Sequence, residues 1–409
     1  MRSIITAATY LLVGCSVILI LLIIFVTFKA QVFDRIPIDD DKQTETRDYP
    51  GNAEVSEVWE DMPPTSENNA ATHPVPAGNS SVNAAESVEY EGILELPVNG
   101  ATGYASVEMK VHNDDLSEAL AVLKPGDGFM VLREYESWWQ IYLKSGSGGE
   151  IIGWVRHNLC FINLPDVIPS IIYNNTNAYG SVFLANGETI PNVTGKRLYS
   201  YSGRNDGKAY NERLQKYEYI VPVLYAMAPK ICAAQKYALA AGDTLVIYEG
   251  FRPYEVQQLV YTEVNRLPAS QKNFGSWSQS WFIAYGKSNH QIGYAMDASL
   301  ARVVETEEKV TGRYKYRQLT YFEYTMPTAI HELSVNSALY ASSGSRTYSE
   351  GVRNCAPAQS LQSYCISAGL SPLASEWWHF NDEGARAGIT TESSGNFAVT
   401  ECFSASPSH

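Results

Sequence analysis

The chain has 409 residues, too many for one ordinary hydrophobic core, so two or three structural units are expected. Apolar residues make up 45% and tyrosines number 27, which places most of the chain in the globular class. A formal net charge of −14 and a pI near 5.0 argue against nucleic acid as a partner.

From Ile4 to Phe28 no residue carries a charge. A helix of about 25 residues rising about 1.5 Å per residue crosses a hydrocarbon core of about 30 Å, so residues 1–30 read as a transmembrane anchor. A cleaved signal peptide would have a shorter apolar core and a small-residue cleavage site, and neither is visible. Leu12-Val13-Gly14-Cys15 imitates a lipoprotein box, but the chain stays apolar well past Cys15. Arg2 on one side and Lys29 and Arg35 on the other leave orientation undecided by charge.

Residues 31–90 change character. Asp39-Asp40-Asp41, Pro63-Pro64 and Gly78-Asn79-Ser80-Ser81 sit in a background without apolar period, and 14 acids stand against 3 bases between Asp34 and Glu91. Such a segment buries too little apolar surface to offset its ordering entropy and is expected to be a disordered acidic linker.

Between residues 91 and 166 the apolar period becomes short and alternating, as in Phe129-Met130-Val131-Leu132 and Trp139-Gln140-Ile141-Tyr142-Leu143. Turn residues Pro125-Gly126-Asp127-Gly128 and Gly146-Ser147-Gly148-Gly149 separate these runs, so a small all-β unit is predicted. Lys124-Pro125-Gly126-Asp127, Trp138-Trp139 and Gly153-Trp154-Val155 together resemble a bacterial SH3-like barrel, a module attached to wall enzymes. Its tryptophans read equally well as core and as ligand contacts.

Residues 167–404 mix helix and strand signals and are expected to form an α+β domain. A helix is predicted around Val221 to Ala241, shortened or kinked by Pro222 and Pro229 and closed by Gly242. The strand Thr244-Leu245-Val246-Ile247-Tyr248 follows, then Glu249-Gly250-Phe251-Arg252-Pro253, where Pro253 suits the start of a helix to about Leu267. Arg252 thus falls where a strand ends and a helix begins. A late helix is predicted from Asn354 as its cap to Ala368, with Gly369 ending it. Cys355 and Cys365, about 15 Å apart along such a helix, are too far apart to bond, and no disulfide framework or Cys-x-x-Cys zinc site is expected.

The chemistry concentrates in Ser288-Asn289-His290-Gln291-Ile292-Gly293-Tyr294-Ala295-Met296-Asp297. An imidazole and a carboxylate seven residues apart, with no lysine or arginine between them, are what two ligands of a divalent metal look like. A catalytic zinc takes three protein ligands and leaves a position for water. The best third candidate is His379 in Ser375-Glu376-Trp377-Trp378-His379-Phe380, with Glu376 as the natural general base. Gly293 and Ala295 are small enough to let a strand approach the metal closely. Lone histidines elsewhere, His73, His112, His157 and His409, read as surface or core residues. His331-Glu332 begins like His-Glu-x-x-His, but Val335 stands where the second histidine would be, so that reading fails.

Ser-x-His-x-x-Gly-x-Ala-x-Asp, followed about eighty residues later by Glu-x-Trp-His, resembles the zinc D-Ala-D-Ala peptidases, the dipeptidases and D,D-carboxypeptidases associated with vancomycin resistance. The resemblance spans about Ile168 to Phe380. It implies Zn2+ held by His290, Asp297 and His379, with Glu376 as catalytic base. Arg252, in Phe-Arg-Pro, matches an arginine that polarises the scissile carbonyl, and Ser288 matches a serine that binds a polar end of the substrate or simply caps a turn. The expected function is zinc-dependent D,D-carboxypeptidase action on peptidoglycan stem peptides. D-Ala-D-Ala dipeptidase or endopeptidase action, and an inactive wall-binding protein, are the alternatives. The membrane span, linker and SH3-like unit are foreign to the cytoplasmic dipeptidases. They suggest an anchored protein with residues 31–409 outside the cell.

Overall fold

The computed structural model describes residues 87–90, 96, 98–144, 149–174, 182–194, 208–211, 213–311 and 314–392, all within one compact unit, Pro76–His409. The apolar run at 4–28 and nearly all of the acidic stretch lie outside the described residues. Among those described, no helix is long and apolar enough to cross a membrane.

After β1 (Ser87–Tyr90), seven strands follow in quick succession: β2 (Thr102–Ala105), β3 (Met109–His112), β4 (Ala119–Leu123), β5 (Gly128–Tyr135), β6 (Trp138–Lys144), β7 (Glu150–Arg156) and β8 (Cys160–Asn163). Strands β2 to β8 pair antiparallel in the order β8-β2-β5-β6-β7-β3-β4. The period-two pattern decides which side chains go in. Phe129, Val131, Trp139 and Ile141 are buried, while Met130, Trp138 and Gln140 are half-buried on the other face. Trp138 and Trp154 each lie beneath an arginine, Arg156 and Arg133 respectively, at 5.1 Å.

The expected boundary near residue 166 falls inside α1 (Leu164–Val167), whose four residues are all buried. Leu164, Val167 and Ile168 belong to one apolar core that also contains Trp139 and Val155 of the β-rich part and Leu245, Ala298 and Trp377 from further along. The chain then makes β9 (Ile172–Tyr173) and two small hairpins, β10 (Leu184–Ala185) with β11 (Glu188–Thr189) and β12 (Lys208–Asn211) with β13 (Lys216–Tyr219).

At Val221 the structure departs from the expected helix. β14 (Pro222–Leu224) pairs with β8 and becomes the outermost strand of the first sheet, and the helix starts only at Ala228. Pro222 has no N–H to donate, which an edge strand tolerates, and Pro229 fits the first turn of α2 (Ala228–Ala240). Gly242 ends that helix with φ +80°, as predicted.

The second sheet places the chemistry. β15 (Asp243–Glu249) pairs antiparallel with β16 (Ala295–Thr311) and parallel with β9, and β16 forms a long hairpin with β17 (Tyr314–Glu323), to which β1 adds. β18 (Ser371–Pro372) and β19 (His379–Asn381) join at the start of β16, on the side opposite β15. The remaining helices are α3 (Tyr254–Arg266), α4 (Asn289–Ile292), α5 (Glu350–Arg353), α6 (Ala356–Ser367) and α7 (Glu383–Glu392). Ile231 and Ala238 of α2 and Leu361 and Cys365 of α6 share the core with Leu245, Ile247 and Leu300. The α+β class expected for this part is what the structure contains. Helix α6 is capped by Cys355 rather than Asn354, which instead ends α5. Cys160, Cys232, Cys355 and Cys365 are free thiols.

Candidate metal centre and active site

Three strand ends bring the site together. Asp297 on β16 lies directly opposite His379 on β19 and, on its other side, directly opposite Glu249 on β15. Residues facing each other across antiparallel strands point their side chains to the same face, so Glu249, Asp297 and His379 form one row. A bulge makes this register possible. Ile247 pairs with Ala298 and Glu249 with Asp297, so Tyr248 is an extra residue that turns Glu249 onto the face of Asp297.

His290 comes from α4, a single turn between two strands. The Ser288 hydroxyl oxygen caps it by accepting from the Gln291 N–H at 3.1 Å, and Gly293 ends it with φ +84°. Gly293 is fixed twice over, because a Cβ there would stand 2.1 Å from the Phe161 ring. The smallness of Gly293 thus serves contact with the β-rich part, not the approach to a metal expected from the sequence. Ser288 is observed as the helix cap.

The predicted ligands converge. Asp297 Oδ1 lies 3.1 Å from His379 Nδ1, Asp297 Oδ2 lies 3.4 Å from His290 Nε2, and the two imidazole nitrogens are 3.2 Å apart. All three residues are buried, at 5% exposure or less. Burial opposes ionisation of Asp297, but His290, His331 and His379 together hold its carboxyl well below the usual carboxylate range. The remaining ring nitrogens are occupied. His290 Nδ1 donates to the Gly250 carbonyl at 2.7 Å, and His379 Nε2 donates to Asn381 Oδ1 at 2.9 Å. These bonds turn Nε2 of His290 and Nδ1 of His379 toward one another and toward the Asp297 carboxylate. A cation among the three would be met by two imidazole lone pairs and a carboxylate oxygen. Donors around a tetrahedral zinc at about 2.0–2.2 Å stand roughly 3.3 Å from each other, and two imidazoles with one carboxylate make a three-ligand catalytic set, so these residues fit the ion.

Glu376 lies beside this group, with Oε2 3.6 Å from His379 Nδ1. Burial, opposed by His379 and Arg252, pushes its carboxyl up to about 8. A buried acid poised near neutrality can both accept and return a proton. Arg252 is also brought in, although its contacts differ from a group free to meet substrate. Its Nε donates to both Glu249 oxygens at 3.0 Å, Nη1 donates to Gln257 Oε1 at 2.9 Å, and Nη2 bonds Glu249 and reaches Asp297 Oδ2 at 3.4 Å.

Two residues of the cluster escaped the sequence reading. Glu249 is fully buried and anchors Arg252. His331 places Nε2 3.0 Å from Asp297 Oδ2, with its ring stacked on Phe183. Glu249, Asp297 and His331 form a second group close enough to hold a metal, but the Arg252 guanidinium already bonds two of the three. With Val335 where a second histidine would stand, His331 carries no motif that points to this site. A signal for Glu249 did exist in its spacing three residues before Arg252.

An α+β fold whose strand ends gather two histidines, an aspartate and a raised glutamic acid has the make-up of a peptidase. Residues 225–325 match the family model for VanY, D-alanyl-D-alanine carboxypeptidase, which supports the resemblance to the zinc D-Ala-D-Ala peptidases and carboxypeptidase-type activity in general. The matched stretch contains Arg252, His290 and Asp297, whereas Glu376 and His379 lie beyond it, and the β16–β19 pairing brings His379 into the site. No curated protein matches the chain.

Proposed function

We propose that this chain is a zinc-dependent D,D-carboxypeptidase that removes the terminal D-Ala from peptidoglycan stem peptides. The observation that carries this reading is the convergence of His290 Nε2, Asp297 and His379 Nδ1 next to the raised carboxyl of Glu376. Zinc held by those three residues supplies a Lewis acid that polarises the amide carbonyl and makes water acidic near neutral pH. Glu376 takes the proton from the attacking water and later hands it to the leaving amine nitrogen. Arg252 keeps a positive charge at the same place. Because Glu249, Gln257 and Asp297 engage its N–H groups, it acts on the carbonyl oxygen through its field more than through a dedicated hydrogen bond. Ser288 serves by holding the turn that presents His290.

The choice of stem peptide over free dipeptide rests on location. The uncharged run from Ile4 to Phe28 and the resemblance of residues 91–166 to a wall-associated SH3-like barrel suit an enzyme anchored in the membrane facing the wall, where stem peptides are concentrated. Protease added to intact cells should then remove the catalytic part, and full protection would contradict this placement. The substrate is decided by incubating the protein with a pentapeptide stem and with free D-Ala-D-Ala and measuring D-Ala from each. Release from the stem is expected. Cleavage of the dipeptide alone would replace the proposal with dipeptidase action.

A further inference from the structure

We infer that Asn289 and Asn381 form a directional relay that fixes the tautomer of His379 and so keeps its Nδ1 available to a metal. This inference rests on reading the site as a metal centre. The relay starts at Tyr294, whose hydroxyl donates to Asn289 Oδ1 at 2.5 Å. In this arrangement the carbonyl end of Asn289 faces the tyrosine hydroxyl. Its amide nitrogen must then face the other way, and Nδ2 donates to Asn381 Oδ1 at 3.0 Å. Asn381 is 5% exposed, and the same Oδ1 accepts from His379 Nε2 at 2.9 Å.

Each bond dictates the sense of the next. With its oxygen held by Asn289, Asn381 can offer His379 only an acceptor. The imidazole must therefore carry a proton on Nε2, which makes Nδ1, 3.1 Å from Asp297 and 3.2 Å from His290 Nε2, the nitrogen left to a metal. Strand geometry supplies the placement, since His379 and Asn381 are two apart on β19 and share a face, and Ala295 opposite Asn381 leaves it room. Asn289 and Asn381 are thus positioning residues, 92 residues apart in sequence, which act through His379 and touch no substrate.

The test exploits direction. Asn381→Asp keeps the acceptor toward His379, whereas Asn289→Asp removes the donor toward Asn381 and invites that amide to turn its nitrogen to His379. Both changes add the same charge at neighbouring positions, so charge alone cannot separate them. Zinc affinity of the full chain is measured by chelator competition, and histidine tautomers of the metal-free protein by long-range proton–nitrogen spectra. Asn381→Asp should bind zinc within about threefold of wild type. Asn289→Asp and Asn381→Leu should weaken binding by roughly 10–100-fold, and in Asn289→Asp the His379 proton should move to Nδ1. Thermal unfolding of each variant controls for loss of fold. Equal zinc affinity in all three variants, or a wild-type His379 protonated on Nδ1 and not on Nε2, would overturn the relay while leaving the metal centre intact. A wild type with the Nε2 proton but no zinc binding would defeat the metal reading and, with it, the role given to the relay.

Discussion

Asp297 and His379 face each other across adjacent antiparallel strands, with carboxylate oxygen and imidazole nitrogen 3.1 Å apart, although 82 residues separate them in the chain. One cross-strand pair therefore unites two sequence motifs, and it divides the roles of their neighbours. His379 points into the row of ligands, while Glu376, three residues earlier in the turn before β19, reaches the same place from the side.

This division predicts different losses. Glu376→Gln should keep zinc and lose about 100- to 10,000-fold in turnover, because an amide cannot accept the proton. His379→Ala should lose activity and also weaken zinc binding beyond the roughly 10–100-fold typical of an outer-shell change. Zinc content and D-Ala release measured on the same preparations check both. Equal zinc loss in the two variants would make Glu376 a ligand.

Glu376 also gives the metal-free protein a pH signature. Its folded carboxyl is raised from 4.5 to about 8. Below pH 4 both folded and unfolded chains carry the proton. Between about 4.5 and 8 only the folded chain keeps it, so unfolding releases a proton and stability falls by up to about 1.4 kcal/mol per pH unit as pH rises. Above 8 both states are ionised and this slope ends. Denaturant unfolding of the metal-free wild type and Glu376→Gln across pH 5 to 8 should show the slope in the difference between them, and parallel curves would refute it.

Arg252→Ala tests a structural role alongside the chemical one. It leaves the fully buried Glu249 carboxylate without its guanidinium, which typically costs about 3–5 kcal/mol. Replacing both partners, Glu249→Gln with Arg252→Met, should cost less than the single change. Urea unfolding distinguishes the two, and an undiminished stability in Arg252→Ala would show that Glu249 does not depend on it.

Much of this site could be read from the sequence because its ligands are fixed by local spacing. His290 and Asp297 belong to one turn-and-strand segment, and Glu376 and His379 to another. What could not be read depends on pairing. Glu249 reaches Asp297 only through the bulge at Tyr248, and His331 reaches it only after the chain returns from the long hairpin. The helix expected from Val221 begins only at Ala228 for a related reason, since Pro222–Leu224 pair with the edge of β8 as a strand. The strands of the β-rich part were legible in its alternating pattern, and its apolar core is continuous with Leu245, Ala298 and Trp377.

Gly293 links those two parts to the site. Gly293→Ala should cost about 2–4 kcal/mol, combining left-handed strain with the clash against Phe161, and should loosen the turn that carries His290. Unfolding together with zinc affinity checks this, with both expected to fall. A variant as stable as wild type would mean that α4 can repack.

His290, Asp297 and His379 are expected to hold one catalytic zinc, which metal analysis of the purified full chain measures. About one equivalent of zinc per chain is expected, removable by chelation and restored on adding the metal. Less than about half an equivalent, not restored by added zinc, would contradict the account.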